Sequence, residues 1–434
     1  MTMFAAAASC EITPRDRPLR LAGYAARWNP VSTVLDPIEV SAVLLKAGGR
    51  HCLIFSFDLM IVGSELQRAI HARLGGLGFA PAEIMLFASH THFAPATDRA
   101  CALLGVPDDQ FVEDVAEAAQ TLVERMLQRK SHESRVEIKQ GRLAHSINRR
   151  RYWPLPTFGR THGFQLTSTL MAPNPDGRTD ESATVLLLRR NDDDNVIAAV
   201  WHYTCHPTAV VPIDVISADF PGAVRGLLRQ RFGEIPCLFV QGFCGDISPH
   251  LGGAAKGEDL LSSLRRFARK MISGPTFPPR LTGDWARWSH SLAAGVTSIA
   301  EQPVMTASAP STLSVATEEI ALAGFFTGST PDKPLAVHAL RLGDTLELIA
   351  LSAEVTVEWQ SILNSALPDS EGRLRLYAGY LGPVYGYLPT PRQIGEGGYE
   401  VTGFQRLFGL SGKFDAGKIA PAVTACAKRA IDDL

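Results

Sequence analysis

Two histidines separated by one residue close an apolar stretch in the first quarter of the chain. His90 and His92 end the run in residues 83–98, EIMLFASHTHFAPATD. Side chains alternate between the two faces of an extended strand, so these two imidazoles are predicted to point the same way. Neutral imidazoles on one face are frequent ligands of a divalent metal ion. The alternative is a pair of histidines that hydrogen-bond carbonyl groups at the end of a strand, and the pair alone does not decide between the two.

Three further apolar stretches also end in polar groups, which are His206, then Asp246 with Ser248, and then Glu354. Enzymes of the α/β class assemble their sites at the carboxyl ends of strands. A carboxylate such as Glu354 is costly to bury there unless it is paired or bound to a metal. Two histidines and one glutamate form a ligand set of catalytic zinc and leave one coordination position for water. The sequence therefore predicts a zinc site where these strands converge.

The segment GDISP allows a simpler interpretation. Turn chemistry accounts for Gly245, Asp246, Ser248 and Pro249 without any catalytic role. The GxSxG pattern of the α/β hydrolases is absent around Ser248, which disfavours a serine hydrolase of that class. His202 lies inside an apolar run and is interpreted as a histidine of the core.

Strands and helices that would position these groups can be recognised from their periodicity. Residues 40–46 and 51–60 are predicted to be strands, and residues 64–74 and 109–129 to be helices with one apolar face. Their alternation predicts the α/β class, with mixed β-sheets layered with helices and a metal site at the C-terminal ends of the strands. Residues 160–180 and 377–400 are predicted to be irregular loops, the first of which could cover the site.

Three consecutive arginines precede Tyr152. Arg150 and Arg151 are predicted to lie in a solvated turn, whereas Arg149 is a candidate for contact with a polar group of a substrate.

Composition excludes several classes of function. The 434 residues contain 42 Lys and Arg against 44 Asp and Glu, and this balance gives no field that would attract nucleic acid. Neither a signal peptide nor a stretch long enough for stable membrane insertion is recognisable. Seven cysteines without a CxxC pair indicate reduced thiols, so a cytoplasmic protein is expected.

Short motifs follow one another in a specific order along nearly the whole chain. They are CEITP, LAGY, SFDLM, SHTH, INR, HP, GDISP, AE, YLPT and YE. In this order they resemble the catalytic domain of the neutral and alkaline, non-lysosomal ceramidases. The resemblance implies four zinc ligands, namely His90, His206, Glu354 and Tyr387. Of the two tyrosines in YGYLPT, Tyr387 rather than Tyr385 matches the ligand position.

The same resemblance implies the catalytic residues. Ser248 matches the catalytic serine, with Asp246 supporting it, and His92, Arg149 and Tyr399 match positions around the scissile amide. One departure follows SHTH, where Phe-Ala-Pro replaces the Ser-Gly-Pro of the family.

The expected protein is a single catalytic domain over residues 1–434, without the C-terminal β-sandwich domain of the ceramidases. Its expected activity is zinc-dependent hydrolysis of the amide bond in an N-acyl substrate, ceramide-like or smaller, through metal-activated water. The partner would then be a small acyl amide or ester. Two alternatives are an esterase or lactonase with the same zinc centre, and a binding protein that has lost turnover.

Overall fold

The computed structural model describes residues 2–25, 27–129, 131–159, 163–165, 168–251 and 274–434. The α-helices within these ranges are α1 (Ser64–Gly75), α2 (Asp109–Gln128), α3 (Phe220–Phe232), α4 (Thr282–Glu301), α5 (Trp359–Ala366), α6 (Pro391–Glu396) and α7 (Ile419–Asp432). The strands are β1 (Met3–Glu11), β2 (Glu39–Ala47), β3 (Arg50–Phe57), β4 (Ile84–Ala88), β5 (His132–Arg142), β6 (Ser146–Trp153), β7 (Thr157–Gly159), β8 (Gly163–Gln165), β9 (Ser168–Asn174), β10 (Ser182–Arg190), β11 (Val196–Tyr203), β12 (Cys237–Gln241), β13 (Ile247–Pro249), β14 (Thr306–Ser308), β15 (Leu313–Ile320), β16 (Phe326–Ser329), β17 (Leu335–Leu342), β18 (Leu346–Leu351), β19 (Glu354–Val355), β20 (Leu374–Ala378), β21 (Tyr387–Leu388) and β22 (Ser411–Phe414). Short segments of 3₁₀-helix and one π-helical turn, Tyr399–Gly403, complete the described elements.

A large mixed sheet has the strand order β12-β11-β10-β5-β1-β2-β3-β4, and β14 adds to β5. The β3–β4 and β11–β12 pairs are parallel and the other pairs are antiparallel. The sheet curls so that β12 approaches β3. The Ser56 hydroxyl bridges them, because it donates to the carbonyl of Phe239 at 2.8 Å and accepts from its N–H at 3.1 Å.

A second sheet, β15-β17-β18-β20, packs against the first. Apolar side chains from both sheets share one buried cluster, which includes Val43, Leu186, Leu340 and Leu348. Helices α1 and α2 cover one region of the large sheet, α3 and α4 another, and α7 covers the second sheet. The predicted α/β class with mixed sheets and layered helices is thus confirmed. No helix within the described residues is long and apolar enough to span a membrane.

The carboxyl ends of three strands are joined by one short segment, Gly379 and Tyr380. The Gly379 N–H donates to the carbonyl of Gln241, the last residue of β12, at 3.0 Å, and the Tyr380 N–H donates to the carbonyl of Ala353 after β18 at 3.2 Å. The Tyr380 carbonyl accepts from the N–H of Ala88 at the end of β4 at 3.1 Å. Strand ends that are far apart in sequence are thereby held around one point.

Three predictions about irregular segments were wrong. Residues 377–400, predicted to be an irregular loop, contain β21 and α6. Arg150 and Arg151 lie in β6 rather than in a turn, and Arg150 is buried. Part of residues 160–180 forms β9, which pairs with β6, while residues 160–162 and 166–167 lie outside the described part of the chain. Strand β6 lacks the alternating apolar residues by which a strand is recognised in a sequence. Its buried arginines are tolerated because carboxylates far away in the sequence neutralise them.

Candidate metal centre

His90 is buried and adopts an unusual backbone conformation. Strand β4 ends at Ala88, and His90 has a φ of 68°, in the left-handed region. The strand alternation expected for His90 and His92 therefore does not apply, although their rings lie 4.9 Å apart. A left-handed residue other than glycine costs on the order of 1 kcal/mol, and such strain concentrates at functional sites. It turns the His90 ring so that Nδ1 lies 2.8 Å from the carbonyl of Met60.

His206 repeats this arrangement after β11. Its Nδ1 lies 2.6 Å from the carbonyl of Cys244 and 3.0 Å from that of Ile247. A carbonyl oxygen only accepts, so Nδ1 must carry the proton in both His90 and His206. In its neutral form, each ring therefore presents an unprotonated Nε2 on its opposite side. Metal-binding histidines are fixed in one tautomer in this way.

The two Nε2 atoms face one carboxylate oxygen. Oε2 of Glu354 lies 3.2 Å from Nε2 of His90 and 3.4 Å from Nε2 of His206. Nε2 of His206 and Oε2 of Glu354 are both buried, and neither makes a hydrogen bond of good geometry to any described residue. Lone pairs that face each other without a proton repel one another, and buried polar atoms normally have partners. The arrangement fits a cation at this point.

Protonation states agree with this conclusion. Burial, and after it the positive charge of Arg149, lowers the pKa of His206 to about 4. Burial, together with His90 and His206, lowers the pKa of His92 well below its usual value. Burial opposes ionisation of Glu354, but the histidines outweigh it and hold its pKa well below the ordinary range. Near neutral pH the imidazoles of His92 and His206 are thus neutral and the carboxylate of Glu354 is ionised.

His92 is the third imidazole of the cluster. Its Nε2 lies 3.3 Å from Nε2 of His90, and the ligand atoms of His90, His92 and His206 all lie within 4.8 Å of one another. Its Nδ1, unlike those of the other two, has no hydrogen-bond partner among the described residues. No backbone carbonyl therefore fixes the tautomer of His92, in contrast to His90 and His206.

Tyr387 is brought beside Glu354 by the short parallel pair β19–β21, in which these two residues are direct partners. Its hydroxyl accepts a hydrogen bond from Nη2 of Arg149 at 3.0 Å. Burial, and next the charge of Glu354, raises the pKa of Tyr387 well above its usual value. Tyr385, by contrast, packs in the core near Phe325, and its buried hydroxyl has no partner among the described residues.

Arg149 is held from several sides. Its Nε donates to Glu400 at 3.0 Å, and Nη2 donates both to the carbonyl of Gly245 at 2.6 Å and to the hydroxyl of Tyr387. Its Nη1 makes no hydrogen bond within the described part of the chain. Its guanidinium carbon lies 5.9 Å from the ring centre of Tyr399, whose pKa is raised by burial and next by Glu354.

Gly245 permits the strand ends to meet. A Cβ atom there would lie 2.7 Å from the carbonyl oxygen of Glu354 and 2.8 Å from that of Val355. The Gly245 N–H donates to the Val355 carbonyl at 2.7 Å. The glycine of GDISP is thus required by a close approach of two backbones, which positions Glu354 next to His206.

Ser248 and Asp246 follow this glycine but point to different partners. Ser248 lies in β13 opposite Ile147 and is 4% exposed, and its hydroxyl has no hydrogen-bond partner among the described residues. The carboxylate of Asp246 accepts from the N–H of Val357 at 2.8 Å, and from the side-chain amides of Asn148 and Gln393 at 3.2 Å each. No described hydrogen bond joins it to Ser248. Burial raises the pKa of Asp246 to about 6.

Sequence reasoning did not identify three neighbours of the cluster. The ring of Tyr380 lies 4.2 Å from that of His90, and the ring of Tyr24 lies 5.2 Å from that of His92. Glu400 binds both Arg149 and Arg150 from the π-helical turn. Tyr24 and Glu400 are the last residues of the LAGY and YE motifs. Those motifs could therefore have identified these two residues as part of the site.

Comparison with known proteins shows that the fold around this site is a known one. No model of a protein family matches the chain, and no curated protein matches it. Among solved structures, the neutral ceramidase from Pseudomonas aeruginosa matches with a TM-score of 0.72 and 16% identity over 99% of this chain and 74% of that one. The chain has the neutral ceramidase fold. A ceramidase complexed with C2 matches equally well, with a TM-score of 0.72 and 14% identity over 100% of this chain and 76% of the other.

The resemblance predicted from the motifs is therefore confirmed at the level of the ceramidase fold. Identities of 14% and 16% carry the fold and no further property. The function of this chain must be argued from its own site.

Proposed function

We propose that the protein is a zinc-dependent hydrolase that cleaves the amide bond of an N-acyl substrate. The proposed ligands are His90, His206, Glu354 and Tyr387. The observation that carries the proposal is the pair of buried, unpartnered atoms, Nε2 of His206 and Oε2 of Glu354, beside a second unprotonated Nε2. The ceramidase fold of the chain supports amide hydrolysis as the reaction.

The donor set favours zinc among the common metals. Imidazole nitrogens with one carboxylate are ligands of zinc, whereas calcium and magnesium prefer sets made only of oxygen. When bound, zinc would lower the pKa of a water molecule and polarise the substrate carbonyl. His92 is left for the substrate because its ring, unlike those of His90 and His206, is not fixed by a carbonyl group.

Each remaining residue then has a separate role. His92 can accept a proton at one ring nitrogen and donate one from the other, as the departing amine requires. Ser248 has a free hydroxyl that can donate to the developing oxyanion or attack the carbonyl. Tyr399 and the free Nη1 of Arg149 can orient the acyl oxygen, and Glu400 keeps the guanidinium of Arg149 in place.

Metal removal tests this proposal. Dialysis against a chelator should abolish hydrolysis of a panel of N-acyl amides, and addition of about one equivalent of zinc should restore it. His90→Ala should lose both zinc and turnover. His202→Ala is the matched control, because His202 is also buried but binds the carbonyl of Tyr377 at 2.9 Å, away from the cluster.

Three other outcomes of these experiments would lead to different conclusions about the function. Hydrolysis that survives chelation would contradict the metal centre. If zinc-loaded protein cleaves the matching esters or lactones but no amide, the chain is an esterase or lactonase with the same centre. If it binds acyl amides without any turnover, the chain is a binding protein.

A further inference from the structure

A small cavity of about 150 Å³ opens beside β13, near Ser248. Its walls come from β6, β9, the end of β13, and the segment that leads into α4, and most of them are apolar. Ile147 connects this cavity to the candidate site. It lines the cavity and is the direct antiparallel partner of Ser248, and such partners project from the same face of a sheet. Ser248 thus lies next to two residues that line the cavity, its strand partner Ile147 and its chain neighbour Pro249.

Arg280 supplies a positive charge at the wall of this cavity. Its guanidinium donates through Nη1 to the carbonyl of Thr208, two residues beyond His206. The hydroxyl of Tyr24 lies 3.4 Å from that same carbonyl, and the ring of Tyr24 packs edge-on against His92. Arg280 is thus linked through Thr208 and Tyr24 to the imidazole proposed to handle the proton.

Arg280 is close enough to the buried carboxylate of Asp219 for their charges to interact, but the two side chains do not form an ion pair. No carboxylate among the described residues forms an ion pair with Arg280. Asp284 also lines the cavity, but its carboxylate pairs with Arg287 at 2.5 Å. Pro278 and Pro279 directly precede Arg280 and restrict the backbone, so less entropy is lost when the guanidinium binds a ligand.

We propose that this cavity receives one end of the substrate and that Arg280 binds a carboxylate there. The substrate class is therefore an N-acyl amide that carries a carboxylate close to the scissile bond. This inference rests on the proposed amide hydrolysis. Guanidinium and carboxylate match in geometry, and an apolar cavity strengthens the charge-assisted hydrogen bonds between them.

Two matched pairs of substrates test the inference. N-butanoylglycine and N-butanoylglycinamide differ in charge on the amine side, and the monoethylamide of glutaric acid and its carboxamide differ on the acyl side. We expect zinc-loaded protein to prefer the charged member of one pair in kcat/KM, and that pair identifies the side that enters the cavity. Arg280→Gln should lower this preference roughly 10- to 100-fold, mainly through KM, and Arg280→Lys should retain part of it.

Arg231→Gln is the matched control, because Arg231 is exposed, pairs with Glu301 at the far end of α4 and does not line the cavity. It should keep the preference of the unmodified protein. The inference is overturned if amides are cleaved with equal efficiency whether charged or neutral, or if Arg280→Gln leaves the preference unchanged. Absence of hydrolysis for all four amides by zinc-loaded protein would overturn the proposed function itself, and the inference with it.

Discussion

At the scale of single residues, the two ring nitrogens of each ligand histidine have separate tasks. In His90 and His206, Nδ1 binds a backbone carbonyl, which places the proton and leaves Nε2 free. The sequence left two interpretations of such histidines open, namely contact with backbone carbonyls and binding of a metal. Both are consistent with these rings, because the two contacts use different ring nitrogens. The first arrangement prepares the second, because a fixed tautomer directs the lone pair of Nε2 at Glu354.

Ser248 allows a direct test at this scale. Ser248→Ala removes a hydroxyl that has no partner in the described structure, so we expect little loss of stability. If this hydroxyl contacts the reacting carbonyl, turnover should fall about a hundredfold or more. Steady-state kinetics and zinc content, measured on the same preparation, check both points, with zinc expected to stay bound.

Near-normal turnover in Ser248→Ala would show that GDISP is only a turn. Trapping an acyl group on the unmodified protein, and its absence in the variant, would distinguish a nucleophile from a residue that orients the substrate.

At the scale of elements, β6 and the π-helical turn 399–403 are held together by one carboxylate. Glu400 accepts from Nε of Arg149 at 3.0 Å and from Nη1 of Arg150 at 2.8 Å, and all three side chains are buried. The sequence could not predict this pairing, because about 250 residues separate the partners and each looks like an ordinary surface charge when read locally. Burial of Arg150 follows from Glu400, which local patterns do not reveal.

Removal of Glu400 should therefore be costly. Glu400→Ala leaves two buried guanidinium groups without their shared partner, and we expect a loss of about 3–5 kcal/mol in the free energy of unfolding. Glu396→Ala is the control, because Glu396 also pairs with Arg150 but is one-third exposed, and its loss should cost less than about 1 kcal/mol. Chemical denaturation of both variants measures the difference, and equal costs would contradict the role assigned to Glu400.

Strand ends were predictable from the sequence, whereas their meeting point was not. Each apolar run that ends in His90, His206 or Glu354 is a local signal, and the structure places all three ends together. Their convergence depends on the curl of the large sheet and on Gly379 and Tyr380, whose contacts are all long-range. The motif resemblance supplied that global information.

At the scale of the whole molecule, Asp36 links the N-terminal part of the chain to the turn before α3. Its carboxylate accepts from the hydroxyl of Ser217 at 2.5 Å and from the N–H of Ala218 at 2.8 Å. Burial raises its pKa to about 6 from 3.8. The folded protein therefore binds this proton more tightly than the unfolded chain does, and stability from this group is lost as the pH rises from about 4 through about 6.

Asp36→Asn isolates this contribution. The amide keeps an oxygen for Ala218 and does not ionise, so the stability of the variant relative to the unmodified protein should rise between pH 4 and pH 7. A pKa difference of roughly two corresponds to about 3 kcal/mol as an upper value. Denaturation curves of both proteins across this range provide the measurement, and a difference independent of pH would show that Asp36 is ionised throughout in the folded state.

The central claim is a zinc ion held among His90, His206, Glu354 and Tyr387. The most direct measurement is anomalous scattering from crystals of the purified protein, with data collected on both sides of the zinc absorption edge. We predict one strong peak present only above the edge, within bonding distance of Nε2 of both histidines and of the Glu354 carboxylate. A map without a peak there, from protein that hydrolyses N-acyl amides at full rate, would contradict the account.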